Sequence, residues 1–111
     1  MKTVTFIFFS LCFFVLLPTG NLLAQTNVQN NGILFVSAAS DTVFMGSSFT
    51  NAAGAAFTNN SVVNIKQDIT NGEVTMATGT GTLYINGAST QIIAGAAIFK
   101  TYNLITSNSA G

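Results

Sequence analysis

Residues 43–51 (VFMGSSFTN) align without gaps on residues 63–71 (VNIKQDITN), which lie 20 positions further along the chain. Alternate positions stay apolar in both copies, whereas the positions between them vary freely. Such alternation is typical of strands with one buried face. A constant offset between equivalent strands predicts parallel stacking of successive coils, because each coil repeats one structural unit.

A shorter pattern recurs four times, in the order small, variable, apolar, variable, apolar. It occupies residues 32–36, 61–65, 72–76 and 81–85. If these segments are equivalent positions of stacked coils, Leu34, Val63 and Leu83 lie above one another in one column.

Asn, Gly and Ser separate the apolar segments, at residues 30–32, 59–61, 70–72 and 86–87. An Asn-Gly pair between alternating segments is typical of a β-hairpin, which would give an antiparallel meander or a small sandwich. The repeat instead favours a parallel β-solenoid, also called a β-helix. No helical periodicity follows residue 25, so either alternative makes this part of the chain all-β.

Residues 1–24 have the layout of a secretory signal peptide. Lys2 precedes an apolar run at residues 4–17, Pro18 ends the run, and Ala24 stands at the expected cleavage point. Such a run is shorter than the ~20 residues of a spanning helix, so we expect cleavage and no retained transmembrane helix; a retained anchor is the alternative. Cys12 lies inside the run with no small residue before it, which argues against lipid attachment at the cleavage point. The sequence predicts export, to the medium or the cell surface.

Residues 25–111 contain no Arg, Cys or His, and their charged residues are two Lys and three acidic residues. The net charge of this segment is therefore 2 − 3 = −1. A surface that binds duplex nucleic acid needs clustered Lys and Arg, so nucleic acid is not an expected partner. Without Cys and His, neither a disulfide nor a zinc site is expected.

Asp68 and Glu73 are the one candidate pair for acid/base chemistry. They could approach across the corner at residues 70–72, and a glycosidase needs two carboxyl groups about 5 to 10 Å apart. The favoured alternative is that both are solvated surface charges. We predict no catalytic, cofactor-binding or metal-binding residues in this segment, and no enzymatic activity.

Essentially all of residues 25–111 resembles the repetitive N-terminal regions of exported, adhesin-like β-helix proteins of the Bacteroidota, many of which end in a type IX secretion sorting domain. The resemblance is strongest in GTGTLYINGASTQIIAG (residues 79–95) and in the following YNL. The family pattern is Gly-x-Leu-x-Phe/Ile-x-Gly, then Gln-x-Ile-x-Gly, then Tyr-Asn-Leu. The matching residues are Gly81, Leu83, Ile85, Gly87, Gln91, Ile93, Gly95, Tyr102, Asn103 and Leu104.

The resemblance implies a structural or adhesin-like segment of a cell-surface or secreted protein. Extracellular polysaccharide or other surface polymers, and the export machinery, are the implied partners. Residues 25–111 would be the N-terminal part of a longer protein. The alternative is the N-terminal part of a β-helix carbohydrate-active enzyme whose catalytic residues lie beyond Gly111. After Leu104 the family has Thr and then an apolar residue, whereas this chain has Ile105 and Thr106; this predicts a change of face or a one-residue register shift in the last strand.

Overall fold

The computed structural model of the chain describes residues 27–37 and 39–110. The predicted signal peptide, residues 1–24 with Lys2, Cys12 and Pro18, lies outside the described residues. The described residues form ten β-strands and no helix. The strands are β1 (Val28–Asn30), β2 (Ile33–Val36), β3 (Thr42–Met45), β4 (Phe49–Asn51), β5 (Ala56–Asn59), β6 (Val62–Ile65), β7 (Ile69–Asn71), β8 (Thr82–Ile85), β9 (Ile93–Ala94) and β10 (Asn103–Thr106).

The strands form three sheets that run along the stack. Sheet I contains β1, β4, β7 and β9, sheet II contains β2 and β5, and sheet III contains β3, β6, β8 and β10. Every pairing between the described strands is parallel. The chain is therefore a parallel β-solenoid of about four coils, as the repeat predicts, and the antiparallel alternative is wrong.

The Asn-containing segments form corners between sheets. The side-chain oxygen Oδ1 of Asn30 accepts a hydrogen bond from the amide of Gly32, two residues later, at 3.2 Å. Asn59 accepts in the same way from Ser61 at 2.9 Å, and Asn71 accepts from Glu73 at 3.2 Å. Such a local bond stabilises a sharp turn of the backbone. After Asn30 and Asn59 the turn leads into a strand of the next sheet in the same coil, whereas the residues after Asn71 form no strand.

The ungapped alignment is confirmed residue by residue. Val43 pairs with Val63, Met45 with Ile65, and Phe49 with Ile69. Val63, Ile65 and Ile69 are at most 1% exposed. Three aromatic rings also pack in the core, with centroid distances of 5.1 Å (Phe49–Phe57), 5.9 Å (Phe57–Phe99) and 6.4 Å (Phe49–Phe99).

The predicted column of Leu34, Val63 and Leu83 is only partly correct. Val63 pairs with Leu83 in sheet III, but Leu34 pairs with Phe57 in sheet II. The five-residue pattern marks a strand with an inward face, and such strands occur on more than one side of each coil. The pattern therefore predicts burial without specifying the sheet.

Residues 72–76 carry the same pattern and form no strand. Met76 is buried, whereas Val74 is 72% exposed. The carboxylate of Glu73 accepts hydrogen bonds from the amide and the hydroxyl of Thr75, at 2.8 and 2.5 Å. These local hydrogen bonds bend the backbone, so residues 72–76 do not adopt the extended conformation that would place the Val74 side chain in the core.

A ladder of buried asparagines runs along the inner side of sheet I. Asn30 Nδ2 donates to Asn51 Oδ1 at 2.9 Å, and Asn51 Nδ2 donates to Asn71 Oδ1 at 3.0 Å. The ladder ends where Asn71 Nδ2 donates to the carbonyl oxygen of Ile98 at 2.8 Å. A buried amide without partners would cost about 1–3 kcal/mol, so continuous pairing lets the core contain three of them.

The last strand keeps its register. Leu104 pairs with Leu83, Ile105 with Tyr84, and Thr106 with Ile85. The predicted register shift is therefore wrong. Thr106 occupies the position equivalent to the inward Ile85, and Ile105 occupies the position equivalent to Tyr84 on the outer face.

Candidate functional site: a polar cleft at an enlarged corner

The corners that join sheet III to sheet I differ in length. Residues 46–48 form the first corner and residues 66–68 the second, whereas the third extends over residues 86–92. The register shows the same enlargement, because the step from Ile69 to its partner Ile93 is longer than the step from Phe49 to its partner Ile69. Insertions in a repeat protein form loops on one face, which is often the binding face.

Gln91 holds the enlarged corner against the coil above. Its Oε1 accepts a hydrogen bond from the amide of Gly87 at 2.7 Å, which closes the loop. Its Nε2 donates to the carbonyl oxygens of Ile65 and Gln67, at 3.1 and 2.7 Å. One side chain therefore links the loop to two backbone positions of the preceding coil.

Two further residues support the same corner. Asp68 Oδ1 accepts a hydrogen bond from the amide of Ile92 at 2.9 Å. Asn108 Nδ2 donates to the carbonyl oxygen of Ser89 at 2.6 Å and to Gln91 Oε1 at 3.0 Å. Hydrogen bonds to the preceding coil and to the chain that follows therefore fix the conformation of the loop.

A cleft of about 610 Å³ opens beside this loop. Lys66 and Asp68 line its upper side, and Ser107 and Ser109 line its lower side. Exposed residues of the enlarged corner, including Ser89 and Thr90, line the part between them. The wall combines one positive charge, one negative charge and several hydroxyl groups.

Lys66 has a defined position at the cleft. Its Nζ donates to the carbonyl oxygen of Asn86 at 2.8 Å and lies 5.6 Å from the centroid of the Phe44 ring. A cation at this distance from an exposed aromatic ring contributes about 0.5–1 kcal/mol. Phe44 is 65% exposed, so an apolar ring lies next to the polar cleft.

The structure does not bring together the carboxylates of Asp68 and Glu73, the candidate acid/base pair. Asp68 precedes β7 and supports the enlarged corner, whereas Glu73 follows β7 at a different corner. Glu73 accepts a third hydrogen bond from the amide of Gly54 at 2.5 Å and is only 8% exposed. The bond from the Thr75 hydroxyl, followed by those from the Thr75 and Gly54 amides, lowers the pKa of Glu73 below its ordinary value of 4.5. The expectation of a solvated surface charge is therefore wrong for Glu73, because its carboxylate ties two coils together.

Within residues 27–37 and 39–110, no three His, Cys, Asp or Glu side chains are grouped so that they could hold a metal ion. The same residues contain no helix that is long and apolar enough to span a membrane.

The residues that the structure describes define a parallel β-solenoid in which an enlarged corner, residues 86–92, lines a polar cleft. Comparisons with protein-family profiles, with curated proteins and with solved structures gave no match to this chain.

Residue types alone did not reveal the cleft. They marked Asp68 as an acid/base candidate and Gln91 only as part of a repeat motif. The available signal was the spacing between Ile69 and Ile93, which exceeds the repeat. Their equivalence became evident only from the strand pairing.

Proposed function

We propose that this chain is an exported, non-enzymatic β-solenoid segment that serves as a structural or adhesin-like part of a cell-surface or secreted protein. The observation that carries the proposal is the in-register parallel stacking, which aligns outward side chains in rows along the stack. In sheet I one such row contains Gln29, Thr50 and Thr70. Repeated rows of neutral polar groups suit contacts with a repetitive partner such as an extracellular polysaccharide or another surface polymer.

The architecture is compatible with an oxidising or a reducing compartment. The described part of the fold is held by backbone ladders, a narrow apolar core and the asparagine ladder, and it contains no Cys. Its stability therefore does not depend on the redox state of its surroundings. The signal-peptide pattern at residues 1–24 supports the same proposal from the sequence.

Localisation tests the proposal directly. An antibody against residues 28–106 is used to blot the culture fluid, the cell envelope and the cytoplasm of the producing cells. Intact cells are also treated with protease before lysis, with a cytoplasmic enzyme as the control for leakage. We expect the polypeptide in the medium or in a protease-sensitive form at the surface; a protease-resistant cytoplasmic pool would contradict export.

The β-helix carbohydrate-active enzyme remains the competing proposal. The native secreted polypeptide, purified with the same antibody, is incubated with neutral and acidic polysaccharides and assayed for new reducing ends and unsaturated products. We expect retention of a polysaccharide without cleavage. Release of products would favour the enzyme, with its catalytic residues outside the described segment.

A further inference from the structure

We propose that the cleft at the enlarged corner binds a neutral, linear polysaccharide chain; this inference rests on the proposed function and assigns a place and a ligand class to it. The enlarged corner, residues 86–92, is longer than the two equivalent corners between sheets III and I, and hydrogen bonds from Gln91, Asp68 and Asn108 hold it in place. The longer corner forms part of the wall of a polar cleft with a volume of about 610 Å³.

The charge of the cleft selects a neutral ligand. Lys66 and Asp68 both line it, so the two formal charges cancel. A phosphate or polyuronate chain would need several cationic side chains to offset its desolvation, and Lys66 is the only cationic residue on this wall. Hydroxyl groups both donate and accept hydrogen bonds, and Ser89, Thr90 and Ser107 supply the matching groups.

The shape of the cleft selects a linear chain. Its wall takes residues from four successive coils, from Gly46 in the first through Lys66 and Asn86 to Ser109 in the last. Neighbouring strands of a sheet lie about 4.8 Å apart, so four coils extend over roughly 14 Å along the stack. A monosaccharide would contact only part of this length, whereas a linear glycan can follow it from coil to coil.

The cleft is largely preformed, which lowers the entropy cost of binding. Gln91, Asp68 and Asn108 fix the loop through hydrogen bonds within the protein, so its conformation does not depend on a ligand. Phe44 provides an exposed ring beside Gly46, at the upper end of the cleft. The C–H faces of sugar rings pack on such apolar aromatic surface, while their hydroxyls meet the polar wall.

The test is a titration of the full secreted chain, labelled with ¹⁵N, with hexasaccharides. The neutral probes are cellohexaose, xylohexaose and mannohexaose, and the acidic probe is hexagalacturonate. We expect saturable shifts for at least one neutral probe, concentrated in the amides of residues 86–92 and 107–109. Hexagalacturonate should bind about tenfold more weakly, because the single Lys66 cannot neutralise it.

Two variants locate the binding. Deletion of residues 87–90 returns the third corner to the length of the second, and it should weaken binding at least about tenfold. The double variant Thr90→Ala/Ser107→Ala, which keeps the loop, should weaken binding while leaving the dispersion of the spectrum intact. The matched control Thr42→Ala/Thr58→Ala removes two outward hydroxyls that do not line the cleft and should bind like the unaltered chain.

The outcomes separate this inference from the proposed function. Neutral probes that bind but shift only residues of sheet I would overturn the cleft and keep a polymer-binding surface. Tighter binding of hexagalacturonate would overturn the neutral ligand class. A folded chain that binds none of the four probes would overturn the cleft as a glycan site, and the localisation experiment would still decide on export.

Discussion

Asn51 and Asn71, which are fully buried in successive coils, are joined by a hydrogen bond of 3.0 Å from Nδ2 to Oδ1. Asn51 also accepts from Asn30, so it is the central member of the ladder. The relationship shows why polar residues can occupy the inside of this narrow solenoid. Because equivalent residues of successive coils stack in register, each Asn side chain lies where the Asn of the next coil completes the hydrogen bonds of its amide group.

Replacement of the central ladder residue should destabilise the fold. Asn51→Ala removes two buried hydrogen bonds and leaves a small void, and we expect a loss of about 2–3 kcal/mol in the free energy of unfolding. The neighbouring outward change Thr70→Ala should cost about 0.5 kcal/mol or less. Urea unfolding of the full-length chain, followed by circular dichroism, measures both; equal effects would mean that the ladder contributes no specific stability.

A glycine next to the end of the ladder should tolerate no side chain. Gly95 has a φ of +126°, and a Cβ there would collide with the carbonyl oxygen of Asn71. Gly95→Ala therefore combines backbone strain with a backbone collision, and we expect a loss of more than about 2 kcal/mol.

Gly32→Ala is the matched control for this change. Gly32 does not have a positive φ, and nothing lies within 4 Å of its Cβ position. We expect it to change the unfolding midpoint little, or to raise it slightly through the unfolded state. If both variants unfold at the same urea concentration, Gly95 does not approach the coil above closely.

Stability should fall in acid through Glu73. Its pKa is lowered in the folded state, chiefly by the hydrogen bond from the Thr75 hydroxyl. A lowered carboxyl pKa adds stability above its unfolded value, here 4.5, and that stability is lost as the pH falls through the folded value. Glu73→Gln should therefore destabilise the chain near neutral pH and flatten the decline below about pH 4.5.

Asp41→Asn is the control for this titration, because it makes the same change in net charge at an exposed carboxylate. Thermal unfolding between about pH 3 and pH 7 gives the stability profile, and an NMR titration of the Glu73 carboxyl carbon gives its pKa directly. If Glu73→Gln leaves the pH profile of stability unchanged and Asp41→Asn flattens it, the acid sensitivity arises from Asp41 and the prediction for Glu73 is wrong.

Equivalent leucines in neighbouring coils should differ in their contribution. Leu83 and Leu104 are register partners, but Leu83 is 1% exposed and Leu104 is 48% exposed. Leu83→Ala should cost about 2–5 kcal/mol, the usual range for a buried leucine. Leu104→Ala should cost about half of that or less, because much of its surface is already in water. Comparison of the two urea midpoints tests whether packing declines toward the last described coil.

The repeat within the sequence predicted a large part of the fold. Val43, Met45 and Phe49 pair with the residues that the ungapped alignment places opposite them. The Asn-Gly pairs were ambiguous, because the same local turn can close a hairpin or form a corner. Only the repeat length favoured corners, and the parallel strand pairing shows that these segments form corners and not hairpins.

What the sequence determined by itself was local: strands that alternate, corners at Asn and Gly, and a spacing that allows coils to stack. The side of the coil to which Leu34 belongs, the exposure of Val74 and the role of Glu73 were decided by the tertiary structure. Each depends on atoms far apart in the chain, such as the amide of Gly54 that binds the Glu73 carboxylate. The cleft has the same origin, because the extra residues of the third corner line it only when the coils above and below hold them in place.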